Sequence, residues 1–223
     1  MKQRSILIFA FLLLAKFSFC QIIDRYGINI GASYSNQFWD YKLLNIDDLN
    51  GRYKIGIQAF AQAEKDLGKY FALRTELGYV QKGFKNNFDI VNAEGTLGPE
   101  NEGNVILHDL ALNIGMKIKP LNIKYSPYLL TGLSGDYMVS YKDIEVKDPG
   151  SGKHYGVYQS VIEGFNKFNL GGLIGLGVTI KDLIYFEVEY NPNFTNNLDN
   201  ESWTIKDNCW GAKIGVNVNE LIK

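Results

Sequence analysis

The chain has 223 residues, of which 46% are hydrophobic, 13% aromatic and 21% charged, and its 23 Lys and Arg against 24 Asp and Glu leave a formal net charge of −1. Disorder is excluded, because a chain this rich in Tyr, Phe, Ile and Leu with so little net charge buries enough surface to offset the entropy of ordering. A nucleic-acid partner is excluded too, since no basic excess exists for the phosphate contacts that dominate such binding, and five Pro against 23 Gly with 14 Tyr and 13 Phe is the balance of a β-protein.

Lys2 and Arg4 precede an apolar run from Ile6 to Ala15, and Ser18 and Cys20 then have the spacing of a small-residue cleavage site. That order predicts a secretory signal peptide over residues 1–20, cut after Cys20, with residues 21–223 as one barrel domain. The apolar run is shorter than the roughly 20 residues a helix needs to span a bilayer. After cleavage only Cys209 remains, so no intramolecular disulfide can form.

From Gln21 onward the dominant period is two, which is the period of a strand. The first segment sets Tyr26, Ile28, Ile30, Ala32 and Tyr34 against Gly27, Asn29, Gly31, Ser33 and Ser35. The second sets Tyr53, Ile55 and Ile57 against Lys54, Gly56 and Gln58, and the third sets Phe71, Leu73, Leu77 and Tyr79 against Arg74, Glu76 and Gly78. Leu110, Leu112, Ile114 and Met116 oppose Asp109, Asn113 and Lys117 in the fourth, and a noisier fifth runs from Tyr125 to Ser140. The sixth opposes Phe168, Leu170, Ile174 and Leu176 to Asn169, Gly171, Gly175 and Gly177. The seventh opposes Phe186, Val188 and Tyr190 to Glu187 and Glu189, and the eighth opposes Trp210, Ala212 and Ile214 to Gly211, Lys213 and Gly215.

Connections alternate between tight turns, near Leu67-Gly68, Pro120 to Lys124 and Lys181-Asp182, and long polar stretches over residues 36–52, 82–104, 141–166 and 192–207. An even number of strands, with short turns and both chain ends on one rim and long loops on the other, predicts an all-β, eight-stranded antiparallel up-and-down transmembrane β-barrel. A soluble carrier barrel has an apolar inside, whereas here the charges and glycines share one parity and the apolar residues the other, which is the inverted arrangement of a barrel in lipid. Tyr34, Tyr53, Tyr79, Tyr137, Phe168, Tyr190 and Trp210 fall on the apolar parity at the loop end and form the expected aromatic girdle. Export and these features place the chain in the cell outer membrane of a Gram-negative envelope, as a monomer in contact with outer-membrane lipid.

The stretches Tyr26-Gly27-Ile28-Asn29-Ile30-Gly31, Ser126-Pro127-Tyr128-Leu129-Leu130-Thr131-Gly132, Leu170 to Gly177 and Tyr185 to Tyr190 resemble the PorT-type outer-membrane β-barrel family. The resemblance covers nearly all of residues 21–223 and implies an eight-stranded barrel of OmpA/OmpX-like architecture. The family's namesake is similar to components of a protein secretion and gliding apparatus.

On the inward parity Arg74, Glu76, Lys117, Glu187, Glu189 and Lys213 amount to three cations and three anions, which predicts a mutually neutralising ion-pair network across a narrow lumen rather than a carboxylate pair for acid–base chemistry. The glycines at 171, 175 and 177 lack the order of a dinucleotide loop, and Asp148 to Lys153 lacks the glycine spacing of a phosphate loop. No metal-ligand spacing appears, and no cofactor is expected. The leading reading is a non-enzymatic barrel that binds a protein or glycan through its long outer loops, with Phe38, Trp39, Asp40, Tyr41 and Trp203 as exposed contacts. The alternatives are a lipid-modifying enzyme using His108 and Asp109 at the rim, a small porin, or a secretion-apparatus component.

Overall fold

The computed structural model describes residues 23–42, 51–91, 97–121, 123–147 and 152–220; the signal segment predicted over residues 1–20 lies outside them. Five strands come first, β1 (Arg25–Tyr41), β2 (Lys54–Asp66), β3 (Phe71–Val91), β4 (Leu97–Ile118) and β5 (Tyr125–Lys142). A small hairpin, β6 (Glu145–Lys147) and β7 (His154–Gly156), and a helical turn, α1 (Gln159–Ile162), precede β8 (Phe168–Ile180), β9 (Ile184–Pro192), the short β10 (Leu198–Asp199) and β11 (Trp203–Asn217). The eight long strands pair antiparallel in the order β1-β2-β3-β4-β5-β8-β9-β11. β11 returns to β1 from Gly27↔Asn217 to Tyr41↔Trp203, so the sheet closes on itself and these strands leave no open edge.

Alternation along every wall strand sorts the side chains as the period of two predicts. Ile55 is 73% exposed on the outside, while Arg74, pointing into the lumen, is 1% exposed. An outward face of Ile, Leu, Val and aromatic residues is costly in water and stable only where the outer solvent is itself apolar. On β1 this band runs from Tyr26 to Tyr34, and eight residues at about 3.4 Å each, tilted by about 40°, give it a height of roughly 20 Å. Among the described residues no helix is long and apolar enough to cross a membrane, so any crossing is made by strands.

The turn rim is tight. Lys181 and Asp182 both have left-handed backbone, with φ of 51° and 55°, the geometry that a close hairpin requires. Asn217 braces this turn, with its backbone N–H donating to the Leu183 carbonyl at 2.8 Å and its Nδ2 to the Asp182 carbonyl at 2.5 Å.

On the opposite rim the structure departs from the sequence expectation. Residues 82–104 are not a polar loop over most of their length: β3 and β4 continue pairing well beyond the apolar band, with Phe84 opposite Val105. The period was obscured because its polarity reverses there. Above the belt the outward positions are Asp40, Gln81, Lys85 and Lys206, while Trp39, Phe84, Leu107 and Ile205 point inward. The noise in the fifth segment also has a local cause, a register shift beside Val139 where His108 pairs with Ser140 and Asp109 with Met138.

Two inward tyrosines explain two glycines. Gly177 is the register partner of Tyr128, and Gly215 that of Tyr185; a Cβ at either glycine would fall inside the facing ring. Each ring therefore lies flat across the neighbouring strand, filling lumen volume that the glycine vacates. Gly215→Val is expected to destabilise the barrel by about 1–3 kcal/mol through overpacking. Gly135→Ala, where the nearest atom to an added Cβ is 3.5 Å away, should fall within about 0.5 kcal/mol of the parent. Urea unfolding in lipid vesicles, read by heat-modifiable migration, compares the two.

Candidate functional site

The lumen is filled in layers, and the lowest is ionic. Cross-strand register creates it: Glu64 stands opposite Arg74, Gln62 opposite Glu76, and Lys213 opposite Glu187. Arg74 donates from Nε to Gln62 Oε1 at 2.8 Å and from Nη1 to Glu187 at 2.5 Å, and lies 3.2 Å from Glu76 and 3.6 Å from Glu64. Its guanidinium also stacks 4.7 Å from the Tyr185 ring centre. Lys213 reaches Glu76 at 2.9 Å, Glu187 at 3.3 Å and Glu189 at 2.7 Å.

Lys117 differs from expectation. Its ammonium pairs with Glu64 at 2.8 Å and lies 4.2 Å from the Tyr128 ring centre, so it reaches neither Glu187 nor Glu189. Glu64 is absent from the inward set read from the sequence; it lies near the end of β2, which runs on to Asp66. It adds a fourth acid to the set, and Arg25 at the rim answers it at 3.0 Å while also donating from Nη1 to Asp66 at 2.8 Å. The three-to-three balance is thus four cations against four lumen acids, with Asp66 at the edge.

Neutral groups complete the layer. The Tyr128 hydroxyl donates to Glu187 at 2.7 Å, the Tyr185 hydroxyl donates to Gln62 at 2.7 Å, and Asn113 donates to Glu76 at 3.1 Å. Oxygens of Glu76, Glu187 and Glu189 lie within 4.8 Å of one another, a donor set suited to a hard cation. The Lys213 ammonium sits among them, and the protein thereby supplies its own cation. Spacing along the chain conceals this cluster, which is assembled from β3, β9 and β11.

A second polar layer lies nearer the loops. Lys82 bonds to Asp136, and Asp207 accepts from Gln37 Nε2 at 2.8 Å and Asn197 Nδ2 at 2.7 Å. Between the two polar layers Phe60, Val80 and Ala111 pack together, beside a void of only about 10 Å³.

The third layer is an apolar cap. Ile144, Ile162 and Phe165 from the segment between β5 and β8 pack with Phe84, Val105, Leu107 and Ile205 from the wall. Trp39 stands edge-on to Phe84, Tyr158 and Trp203, with centroids 5.6, 5.7 and 5.6 Å away. Trp39 and Trp203, expected as exposed contacts in the loops, are therefore half-buried in this cap. The Asp143 carboxylate fastens the segment by accepting from the Ile144 and Tyr158 backbone N–H groups at 2.7 and 2.8 Å. Lys42 clips the end of β1 to Asp199 at 2.6 Å, and this hydrogen bond holds the Asp199 carboxyl below its ordinary pKa.

The residues of the expected girdle are brought together by register. Tyr34 faces Trp210, which faces Tyr190, and Tyr137 faces Phe168. Tyr34 stacks on Tyr53 at 4.4 Å, and Tyr190 leans on Trp210 at 4.6 Å. Tyr79 completes the belt through a 2.6 Å hydrogen bond with His108 Nδ1. That bond also corrects the dyad considered for the rim: His108 faces outward with Tyr79, Asp109 faces the lumen, and consecutive strand residues cannot share a face. Of the run considered as a phosphate loop, residues 148–151 lie outside the described residues, while Gly152 has φ of 69° and His154 begins β7.

Lys213→Ala leaves three lumen carboxylates without their shared cation and is expected to cost about 3–5 kcal/mol. Glu189→Gln keeps the shape and removes one charge from an acid whose Oε1 has no hydrogen-bond partner; its cost should stay below about 1.5 kcal/mol. Thermal unfolding of both variants in the same detergent measures the contrast.

Residues 19–199 match the family model described as outer membrane protein beta-barrel domain. Among solved structures, the chain is similar to Ail, the attachment invasion locus protein of Yersinia pestis, crystallised with the heparin analogue sucrose octasulfate: 12% identity, TM-score 0.40, 86% of this chain and 97% of that one covered. It is also similar to Neisserial surface protein A (13% identity, TM-score 0.43, 86% and 96% covered) and to OprG from Pseudomonas aeruginosa (9% identity, TM-score 0.43, 87% and 96% covered). No curated protein sequence matches the chain.

Proposed function

We propose that this chain, which belongs to the outer membrane protein beta-barrel domain family, is a closed and non-catalytic barrel that acts as a rigid mount for a loop-side interaction surface. The observation that carries the reading is that, among the described residues, the lumen holds paired charges below and an apolar cap above. A conducting pore needs a continuous wet path, and an ion-selective one a lining of one sign of charge or of exchangeable carbonyls. Here cations and anions neutralise each other, and the 10 Å³ void has room for about one water molecule.

Residues 1–20 act in this reading as the export signal, and the protein stands as a monomer in outer-membrane lipid, held at its loop side by the aromatic girdle. Its motifs around Tyr26, Ser126, Leu170 and Tyr185 favour the PorT-type branch of the family. With Trp39 and Trp203 committed to the cap, contacts with a protein or glycan pass to aromatic and apolar groups outside it, Tyr155, Val157 and Phe194, all exposed. The separation of His108 from Asp109 argues against a lipid-modifying enzyme built on that pair.

In planar bilayers the purified protein should show no stable conductance, and steady ion-selective single-channel currents would overturn the reading in favour of a small porin. Sequencing the mature protein from the membrane fraction should give Gln21 as its first residue.

A further inference from the structure

The turn rim carries a pair of cations that the barrel leaves unanswered. Tyr125 faces Ile180 on the last rung between β5 and β8, and the next residue on each side is a lysine, with the Lys181 N–H donating to the Lys124 carbonyl at 2.9 Å. Residues joined in this way on neighbouring strands have Cα atoms about 5 Å apart. Both lysines are exposed, and like charges placed directly opposite each other are destabilising. Among the described residues no carboxylate makes an ion pair with either ammonium.

The turn between β2 and β3 lies alongside, because the Lys119 N–H donates to the Tyr70 carbonyl at 2.7 Å, and it presents a third exposed lysine, Lys69. Asp66 at the edge of this arc is engaged by Arg25 and Lys119. Among the described residues Asp182 is then the one further acid between the two turns.

Two observations set these cations against lipid. The Lys124 ammonium lies 5.3 Å from the ring centre of Tyr125, which faces outward and is 54% exposed, with Ile123 59% exposed beyond it. It therefore leans over the lipid-facing side of the wall. Height agrees with this: the twelve residues from the girdle residue Tyr137 to Tyr125, at about 3.4 Å each and tilted by about 40°, cover roughly 30 Å, against an apolar band of about 25 Å. Lys124 and Lys181 thus stand just outside the acyl region, at the level of lipid phosphates. The short turns of an outer-membrane barrel face the periplasm, and the leaflet on that side is built of phospholipids.

We propose that this arc of the turn rim binds an anionic phospholipid of the periplasmic leaflet, its phosphate diester between Lys124 and Lys181 and its glycerol and first acyl carbons against Ile123 and Tyr125. A phosphate between two ammonium groups makes charge-assisted hydrogen bonds to both and removes their mutual repulsion. A zwitterionic headgroup would bring its own ammonium among three lysines and a single acid, so the surface selects a lipid of net negative charge.

The test uses the full mature barrel in detergent micelles doped with equal amounts of phosphatidylglycerol and phosphatidylethanolamine, with bound lipids counted by native mass spectrometry. The parent protein should retain phosphatidylglycerol in preference to phosphatidylethanolamine. Lys124→Ala should lower that retention about fivefold. Combining it with Lys181→Ala should abolish the preference, whereas Lys124→Arg with Lys181→Arg should keep it. Lys206→Ala, an exposed lysine on the loop side, should change nothing, millimolar inorganic phosphate should displace no lipid, and heat-modifiable migration checks that every variant is folded. Equal retention of both lipids by the parent, a preference for phosphatidylethanolamine, undiminished phosphatidylglycerol in the double alanine variant, an equal loss in Lys206→Ala, or displacement by inorganic phosphate would overturn the proposal. None of these readouts depends on conductance, so their failure leaves the closed-lumen reading untouched.

Discussion

Closing eight strands leaves an interior about as wide as the side chains that line it, and every charge placed there must find an opposite charge within that width. The lower lumen follows from this constraint. Lys213 stands among Glu76, Glu187 and Glu189, Arg74 binds Glu187 while stacking on Tyr185, and Lys117 is held by Glu64. Removing a member leaves a buried charge whose partners cannot reach water, whereas a set replaced as a whole would carry no such penalty. A wall shifted by one residue in register would turn these charges outward into lipid.

The second determinant is the solvent outside the wall. Along the apolar band the outer surroundings are lipid, so Ile, Leu and aromatic side chains point out and the polar set points in. Beyond Tyr34, Trp210 and Tyr190 toward the loops, apolar side chains such as Phe84 and Leu107 turn inward, as expected where the outer solvent is water. Phe84, Leu107, Ile205 and Trp39 then form an ordinary apolar core, closed from above by Ile144, Ile162 and Phe165. One chain thus folds by two opposite burial rules, joined at the level of the aromatic belt.

This division bears on what the molecule can do. In the closed-lumen reading proposed above, the paired charges and the separate apolar cap obstruct the lumen by different means. Exposed aromatic and apolar groups outside the cap, Tyr155, Val157 and Phe194, lie on the loop side. The groups there are exposed and carry little structural duty, unlike the lumen charges, which are occupied with one another.

Period-two patterning, together with the alternation of tight turns and long connections, determined that the chain is an eight-stranded barrel with its apolar face outward, because each wall strand is half in lipid and half in the lumen and the sequence must alternate to satisfy both. It also determined the inward set Arg74, Glu76, Lys117, Glu187, Glu189 and Lys213, since parity assigns a face without reference to neighbours. Which of these pair was decided only by tertiary structure, because inter-strand register places Lys117 against Glu64 and gathers three acids around Lys213. The loop-side halves of β3 and β4 and the burial of Trp39 and Trp203 were likewise illegible along the chain. There the outer solvent changes from lipid to water, the meaning of an apolar residue reverses, and only the height of each residue on the folded wall says which rule it obeys.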